Sequence, residues 1–223
     1  MTDGRTTTTT SAARVGDMSI SEVRAAYTER AEEYISLMGS VADMHERDRE
    51  LITRWAEPLD GPVLDAGCGP GHWSDHLRQL GHEAEGVDLT PAFVARAEER
   101  FPGVPFRVGS FDDLGVPDAG LGGILAWYSL IHLEPERVPS ALDEFARCIR
   151  PGGSLLLGFF DGARVEPFPH KVVTAYFWPP SAMAERHEAA GFTVEEVHTR
   201  TDPGARPHAA IVARRTGAEA SAR

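Results

Sequence analysis

At 223 residues and 42% hydrophobic content, the chain has the size and apolar fraction of one globular domain with a substantial core. A formal net charge of −12 argues against a phosphate-backbone partner, because nucleic-acid binding draws on a basic surface. No apolar run approaches a bilayer span, and Met1-Thr2-Asp3-Gly4-Arg5 with the threonines after it has no apolar signal core, so the chain reads as cytoplasmic with no membrane partner.

Residues 1–17, rich in Thr, Gly and Ala without periodicity, read as a disordered tail, and 216–223 as a second one. Residues 18–215 between them read as one domain. Ser19-Ile20-Ser21-Glu22 opens a helix with a Ser cap and an acid in the first turn, and Gly39 stops it. Tyr27 and Tyr34, seven apart, share one face of that helix. A second helix spans about 41–57 with Met44, Leu51, Ile52 and Trp55 on its apolar side, completing an N-terminal helical extension over 18–58.

Gly61-Pro62 then introduces Val63-Leu64-Asp65-Ala66, a short apolar run that breaks into Gly67-Cys68-Gly69-Pro70-Gly71 and reads as a buried strand entering a tight turn. A helix follows, with Trp73, Leu77 and Leu80 at helical spacing and Gly81 as its cap. Glu83–Thr90 reads as a second strand carrying Asp88, and Thr90-Pro91 opens a helix to Arg100. Val104–Gly109 is the third strand, running into Ser110-Phe111-Asp112-Asp113-Leu114. Leu121–Trp127 is the fourth, left through Tyr128-Ser129-Leu130-Ile131-His132-Leu133. A helix from Pro135 to Ile149 and the turn Pro151-Gly152-Gly153 lead to a fifth strand, Ser154–Phe160. The stretch 161–180 is irregular and rich in Pro and aromatic residues. A helix from Ser181 to Ala190 and strands at about 192–200 and 207–214 would complete a seven-stranded sheet.

A strand–glycine turn–helix junction presents unpaired N–H groups and the positive end of a helix dipole at the carboxyl edge of a sheet, where nucleotide-like or carboxylate-bearing ligands bind. Glycines also serve simple tight turns, so the junction alone leaves the ligand open. A dinucleotide fingerprint would put its third glycine at 72, where His72 stands, and no Gly-Lys-Ser/Thr ending marks a P-loop. The pattern is D-x-G-x-G-x-G, and Asp88 lies about twenty residues beyond the first glycine, the place where ribose hydroxyls are bound in such folds. Together VLDAGCGPG (63–71), GVDLT (86–90), GSFDDL (109–114) and IRPGG (149–153) resemble, in order, the motifs of the class I S-adenosylmethionine-dependent methyltransferases. The resemblance covers about residues 19–214.

It implies a Rossmann-like, doubly wound α/β fold whose seven-stranded sheet has a reversed last strand. The implied cofactor is S-adenosyl-L-methionine, with S-adenosyl-L-homocysteine as product. By the resemblance the cofactor lies against Gly67, Gly69 and Gly71, Asp88 takes its ribose hydroxyls, and Asp112 accepts from the adenine amino group while the Phe111 N–H donates to the ring. A solvated Asp112-Asp113 turn is the other reading of that pair. Asp65, Trp73, Leu89, Ser110 and Trp127 flank these motifs and complete the expected cofactor set. Ala26–Tyr34 looks like the family's Tyr-x-x-x-Ala-x-x-Tyr opening, which gives Tyr27 to the cofactor carboxylate and makes Tyr27 and Tyr34 walls of the substrate pocket. Read without the resemblance, they are core-edge aromatics. The insert 161–180 resembles a substrate lid, with Phe168, Tyr176 and Trp178 as an aromatic wall suited to a flat or hydrophobic acceptor.

Methyl transfer from a sulfonium is an in-line displacement, and alignment alone can supply about 7–11 kcal/mol of the barrier. A base is needed only where the acceptor starts protonated. His132 is the first candidate, since histidine titrates near neutrality and one stands near there in several similar small-molecule methyltransferases. It equally reads as a histidine capping the next helix. Tyr128 and His170 are second candidates. His72 and His76, at i and i+4, lack an H-E-x-x-H context and a third ligand, and Asp112-Asp113 lacks the further acid of metal-dependent catechol methyltransferases, so metal-independent chemistry is expected. Cys68 and Cys148 suggest neither a disulfide framework nor zinc. Ala126-Trp127-Tyr128-Ser129 replaces the Asn/Asp-Pro-Pro-aromatic motif of base-amino methyltransferases, and neither cysteine follows a proline. These features favour an N, O or C nucleophile of a small molecule, and the overall look is similar to actinobacterial enzymes of secondary metabolism. A nucleic-acid or protein methyltransferase, and a non-catalytic S-adenosylmethionine-binding protein, are the alternatives. A monomer or homodimer is expected.

Overall fold

The computed structural model describes residue 41 and residues 44–170 and 173–217. The expected first helix with Tyr27 and Tyr34, and both chain-terminal stretches 1–17 and 218–223, lie outside the described residues. Numbered over the described part, the helices are α1 (Glu46–Ala56), α2 (His72–Gln79), α3 (Pro91–Arg100), α4 (Val138–Cys148) and α5 (Pro180–Ala189). The strands are β1 (Val63–Ala66), β2 (Ala84–Asp88), β3 (Phe106–Val108), β4 (Leu121–Trp127), β5 (Ile149–Asp161), β6 (Glu166–Phe168), β7 (Ala175–Trp178), β8 (Phe192–Arg200) and β9 (His208–Arg215).

One sheet runs β3-β2-β1-β4-β5 in parallel. Antiparallel β9 lies beside β5, and β8 pairs antiparallel with β9. The chain moves outward from β1 to β3, then returns to place β4 on the other side of β1. That reversal opens a crevice at the carboxyl ends of β1 and β4, the switch point where ligands bind in such sheets.

Side chains alternate across the sheet. Leu64, Ile124, Leu155 and Ile211 bury one face under α4 and α5, with Leu142, Phe145 and Met183. Val63, Leu125, Leu156 and Val212 bury the other under α1 and α2, with Ile52, Trp55, Trp73 and Leu77. Both expected helix starts fall later than the sequence suggests. α1 begins at Glu46, where the His45 ring accepts from the Arg47 N–H and Glu46 and Asp48 face the helix N-terminus. α4 begins at Val138 because residues 134–137 close a turn of their own, Arg137 N–H donating to the Glu134 carbonyl at 2.8 Å.

The insert departs from an irregular lid. β4 covers one edge of β5 as far as Gly158, while β9 covers the other edge through Phe160. Beyond Gly158 the vacated edge is taken by β7, through Phe160–Phe177 and Asp161–Trp178, with β6 antiparallel outside it. The sheet therefore has nine strands, the expected seven plus a hairpin standing just past the end of β4. Its cause is apolar burial: Phe168, Ala175 and Trp178 turn into the core, and Phe168 stacks on Phe177 with centroids 4.0 Å apart.

Candidate active site

At the end of β1 the chain turns with Gly67 at φ +80°, and the N–H groups of Gly67 and Cys68 both donate to the Val87 carbonyl. This ties the turn to β2. A Cβ on Gly67 would stand 2.2 Å from the Ser129 Cβ, so the turn and the segment leaving β4 are in contact with no room for a side chain. At Gly69, φ +53°, a Cβ would meet nothing within 4 Å and project into open space. The Gly69 N–H donates to Asp88 Oδ2 at 2.9 Å, and the Thr90 N–H donates to Asp88 Oδ1 at 2.7 Å. Asp88 is thus aimed by backbone on both oxygens. Burial pushes its carboxyl above the usual range, against the lowering effect of those hydrogen bonds. Each oxygen keeps a further lone pair, enough for two neighbouring hydroxyls.

From this turn a cleft opens along the carboxyl ends of β1, β2 and β3. Gly67, Val87, Asp88, Leu89, Ser110, Phe111 and Asp112 line one side; Ser129, His132, Leu133, Arg137 and Ala141 line the other. Asp112 and Asp113 divide their labour. Asp113 Oδ1 accepts from the Gly115 N–H and closes its own turn, whereas Asp112 Oδ1 accepts from Arg137 across the cleft at 2.6 Å. The Ser129 hydroxyl oxygen is buried and, among the described residues, has no hydrogen-bond partner. Such a group costs about 1–3 kcal/mol until something bonds it. Ser129 and Arg137 escape sequence reasoning: Ser129 is marked only by its place after the fourth strand, and Arg137 by nothing local.

Seven of the expected site residues meet in this cleft: Gly67, Asp88, Leu89, Ser110, Phe111, Asp112 and His132. Asp65 lies beneath the glycine turn, 1% exposed, accepting from Ser74 Oγ at 2.7 Å, and burial pushes its carboxyl up to about 7. Gly71, φ +86°, stands at the head of α2 with its Cβ position blocked by Phe106 and Ala97. Trp73 is in the core, edge-on to Trp127 with centroids 6.4 Å apart.

The three base candidates have different surroundings. His132 Nδ1 bonds the Thr174 carbonyl at 2.7 Å; a carbonyl only accepts, so Nδ1 carries the proton and Nε2 the lone pair. Burial lowers this imidazole to about 4, so the near-neutral titration expected from an ordinary histidine does not hold. The His170 ring lies 5.2 Å from that of His132. Tyr128 occupies a positive φ of 55° for a non-glycine residue, a strain that clusters at functional sites. Its hydroxyl bonds His208 Nδ1, and it faces a second cleft on the other side of β4, with Trp127, Arg200 and Asp48. Burial raises the Tyr128 phenol.

The expected aromatic wall is rearranged. Trp178 is 2% exposed and Phe168 8%, so both hold the hairpin to the core and offer an acceptor little surface. Tyr176 is half-buried, and its N–H donates to the Ile131 carbonyl at 2.9 Å, tying the hairpin to the segment after β4. His76 Nε2 pairs with Thr53 Oγ1, apart from His72.

Residues 63–153 match the family described as a methyltransferase domain. This match and the relatives that follow support a class I S-adenosylmethionine-dependent methyltransferase family for the chain. A probable S-adenosylmethionine-dependent methyltransferase of Mycolicibacterium smegmatis is 30% identical over 142 residues, which are 60% of this chain and 52% of that one. A malonyl-[acyl-carrier protein] O-methyltransferase of Serratia marcescens is 29% identical over 134 residues, 60% of this chain and 51% of its own. The chain spans about half the length of these curated relatives. The solved 1,6-didemethyltoxoflavin-N1-methyltransferase of Burkholderia thailandensis, with 1,6-didemethyltoxoflavin and S-adenosylhomocysteine bound, aligns at a TM-score of 0.74 over 88% of each chain. At 21% identity that likeness concerns the fold.

The cleft fits S-adenosylmethionine on chemical grounds. An aimed carboxylate at Asp88 suits two ribose hydroxyls, the open space at Gly69 admits a ligand against bare backbone, and the Ser129 hydroxyl lacks the partner a polar ligand would supply. Among the described residues no helix is long and apolar enough to cross a membrane.

Proposed function

We propose that this chain is a methyltransferase that binds S-adenosylmethionine along β1–β3 and methylates an N, O or C nucleophile of a small molecule, of the kind met in secondary metabolism, without a metal. The observation that carries the reading is the Asp88 carboxylate, held by the Gly69 and Thr90 N–H groups beside an open glycine turn. When bound, the cofactor supplies an electrophilic methyl group on a sulfonium. Asp88 would take the ribose hydroxyls, Asp112 the adenine amino group, the Phe111 N–H the ring, and the backbone at Gly67 and Gly69 the amino-acid end with Ser129 beside it. The negative charge of the chain supports a small acceptor over a nucleic acid.

On the acceptor side, the rings of Tyr128, Phe160, His170 and His132 form a continuous run of aromatic contacts beyond β4 and β5. Such packing keeps water from the end of β4 and holds His132 and Tyr128 in place, and a fixed geometry is most of what an in-line displacement requires. His132, neutral and protonated at Nδ1, carries its lone pair at Nε2 and can accept a proton there from an acceptor that loses one as it is methylated. At about 4 it is a weak base, so the reading favours acceptors that are already nucleophilic at neutral pH.

Calorimetric titration with S-adenosylmethionine and S-adenosylhomocysteine, on the wild type and on Asp88→Ala, tests the cofactor assignment. Micromolar binding that is lost in the variant supports it, and no binding by the wild type sinks it. Transfer of a labelled methyl group across a panel of phenols, azoles, amines and carboxylic acids then tests the acceptor class.

A further inference from the structure

We infer that Arg137 is a positioning residue for the adenine end of the cleft, and through Asp112 selects a 6-amino over a 6-oxo purine. The inference rests on the proposed cofactor reading and goes beyond it, since nothing in the family motifs concerns position 137.

In the turn leaving β3, Asp113 is consumed by the Gly115 N–H, and the Asp112 N–H is held by Ser110 Oγ at 3.3 Å. The Asp112 side chain therefore faces the cleft. Unaided, an aspartate with two rotatable bonds samples several staggered positions. Here Arg137 Nη2 donates to Oδ1 at 2.6 Å, which fixes the carboxylate plane and leaves Oδ2 as the acceptor turned to a ligand.

Arg137 can do this because its own backbone is fixed. It is the last residue before α4; its N–H donates to Glu134 and its carbonyl accepts from Ser140 Oγ at 2.8 Å. The side chains of the pair are 34% and 53% exposed. A pair that open to water adds little to folding, so stability does not explain why it spans the cleft. Orientation does. A 6-amino group donates to Oδ2, whereas a 6-oxo group sets an acceptor against an acceptor, and a site built around one donor rejects the analogue lacking it.

The test titrates S-adenosylhomocysteine and S-inosylhomocysteine, which differ in that one group, into the wild type, Arg137→Ala, Arg137→Lys and Asp112→Asn. The wild type is expected to prefer the amino ligand by about a hundredfold. Arg137→Ala should cut that preference to about tenfold or below with little change in melting temperature, and Arg137→Lys should restore part of it. In Asp112→Asn, adding Arg137→Ala should change nothing further. Should Arg137→Ala fail to fold, Arg137→Gln carries the same comparison. A preference that stays constant or rises on loss of Arg137 overturns the inference; a rise would mean that the guanidinium serves the oxo ligand itself. No binding of S-adenosylhomocysteine by the wild type overturns the cofactor reading, and this inference with it.

Discussion

The hydroxyl of Tyr128, the first residue after β4, bonds Nδ1 of His208, the first residue of β9, so the two strands on either side of β5 are clasped at the carboxyl edge of the sheet. The pair sits among charges from three directions: Asp48 on α1, and Arg200 and Asp202 from the end of β8, where Arg200 bonds both acids. Tyr128→Phe keeps the ring contacts with Trp127 and Phe160 but takes its partner from a half-buried imidazole nitrogen. Chemical denaturation should show a loss of about 0.5–1.5 kcal/mol. Affinity for S-adenosylhomocysteine should hold within about threefold, because Tyr128 opens on the second cleft. A tenfold loss of that affinity would show that the two clefts are one site.

The contact between Gly67 and Ser129 makes a sharper test. Gly67→Ala places a Cβ 2.2 Å from the Ser129 Cβ and demands φ +80° of an alanine. Strain at the backbone and overpacking together should cost about 2–4 kcal/mol, and binding of S-adenosylhomocysteine should fall at least tenfold as Ser129 is driven into the cleft. Adding Ser129→Gly removes the clash and leaves the φ strain. The double variant should therefore recover binding more fully than stability; equal recovery of both, or of neither, would refute this account of the turn.

Buried histidines and aspartates set the pH dependence of folding, in opposing senses. Burial lowers His72, His132 and His187 to about 4. A histidine depressed in the folded state favours folding above its unfolded value near 6.5, and that advantage is lost as pH falls toward 4. Asp65, raised by burial to about 7, works the other way: the folded state binds the proton more tightly, so its penalty grows as pH rises from about 4 to 7. Asp88, also raised by burial, works in the same sense as Asp65; the three histidines outnumber the two aspartates, and the midpoint of urea unfolding should fall as pH drops from 6.5 to 4. His187, whose Nδ1 bonds the Met183 carbonyl far from either cleft, isolates one contribution. His187→Leu should flatten the acid limb by up to about 3 kcal/mol. Asp65→Asn should gain on the wild type as pH rises from 4 to 7. A variant whose pH profile runs parallel to the wild type would remove its group from the ledger.

The parts of the fold legible in the sequence are those written in local chemistry. The run Val63–Ala66 before three glycines, Asp88 before Thr90-Pro91, and the alternation of turn and apolar run through β5 each specify an element within about ten residues. The hairpin β6–β7 was not legible, because Phe168 and Trp178 read as a wet aromatic lid until the free edge of β5 beyond Gly158 gives them a strand to pair with. Residue types at the site were readable where the motif names them, as at Asp88 and Asp112. Arg137 was not, since its role depends on a cross-cleft distance between residues 25 apart in sequence. The protonation of His132 was not legible either: burial decides it, and burial is a property of the packed state.

The hairpin is joined to the segment after β4 by one backbone bond, Tyr176 N–H to the Ile131 carbonyl, and one side-chain bond, His132 Nδ1 to the Thr174 carbonyl. Within the hairpin Tyr176 lies opposite Pro167, and its N–H is turned to the Ile131 carbonyl. Tyr176→Pro removes that one donor and leaves the apolar contacts of Phe168 and Trp178 in place. The expected result is faster amide exchange over residues 166–178 with the sheet core unchanged, since local opening is governed by local contacts. Affinity for S-adenosylhomocysteine should stay close to wild type, because no residue of β6 or β7 lines the first cleft. Methyl transfer to any acceptor found in the panel should fall, as the hairpin no longer holds His132 against the aromatic surface. Unchanged exchange would show that Phe168 and Trp178 alone fix the hairpin, and unchanged transfer would remove it from the acceptor site.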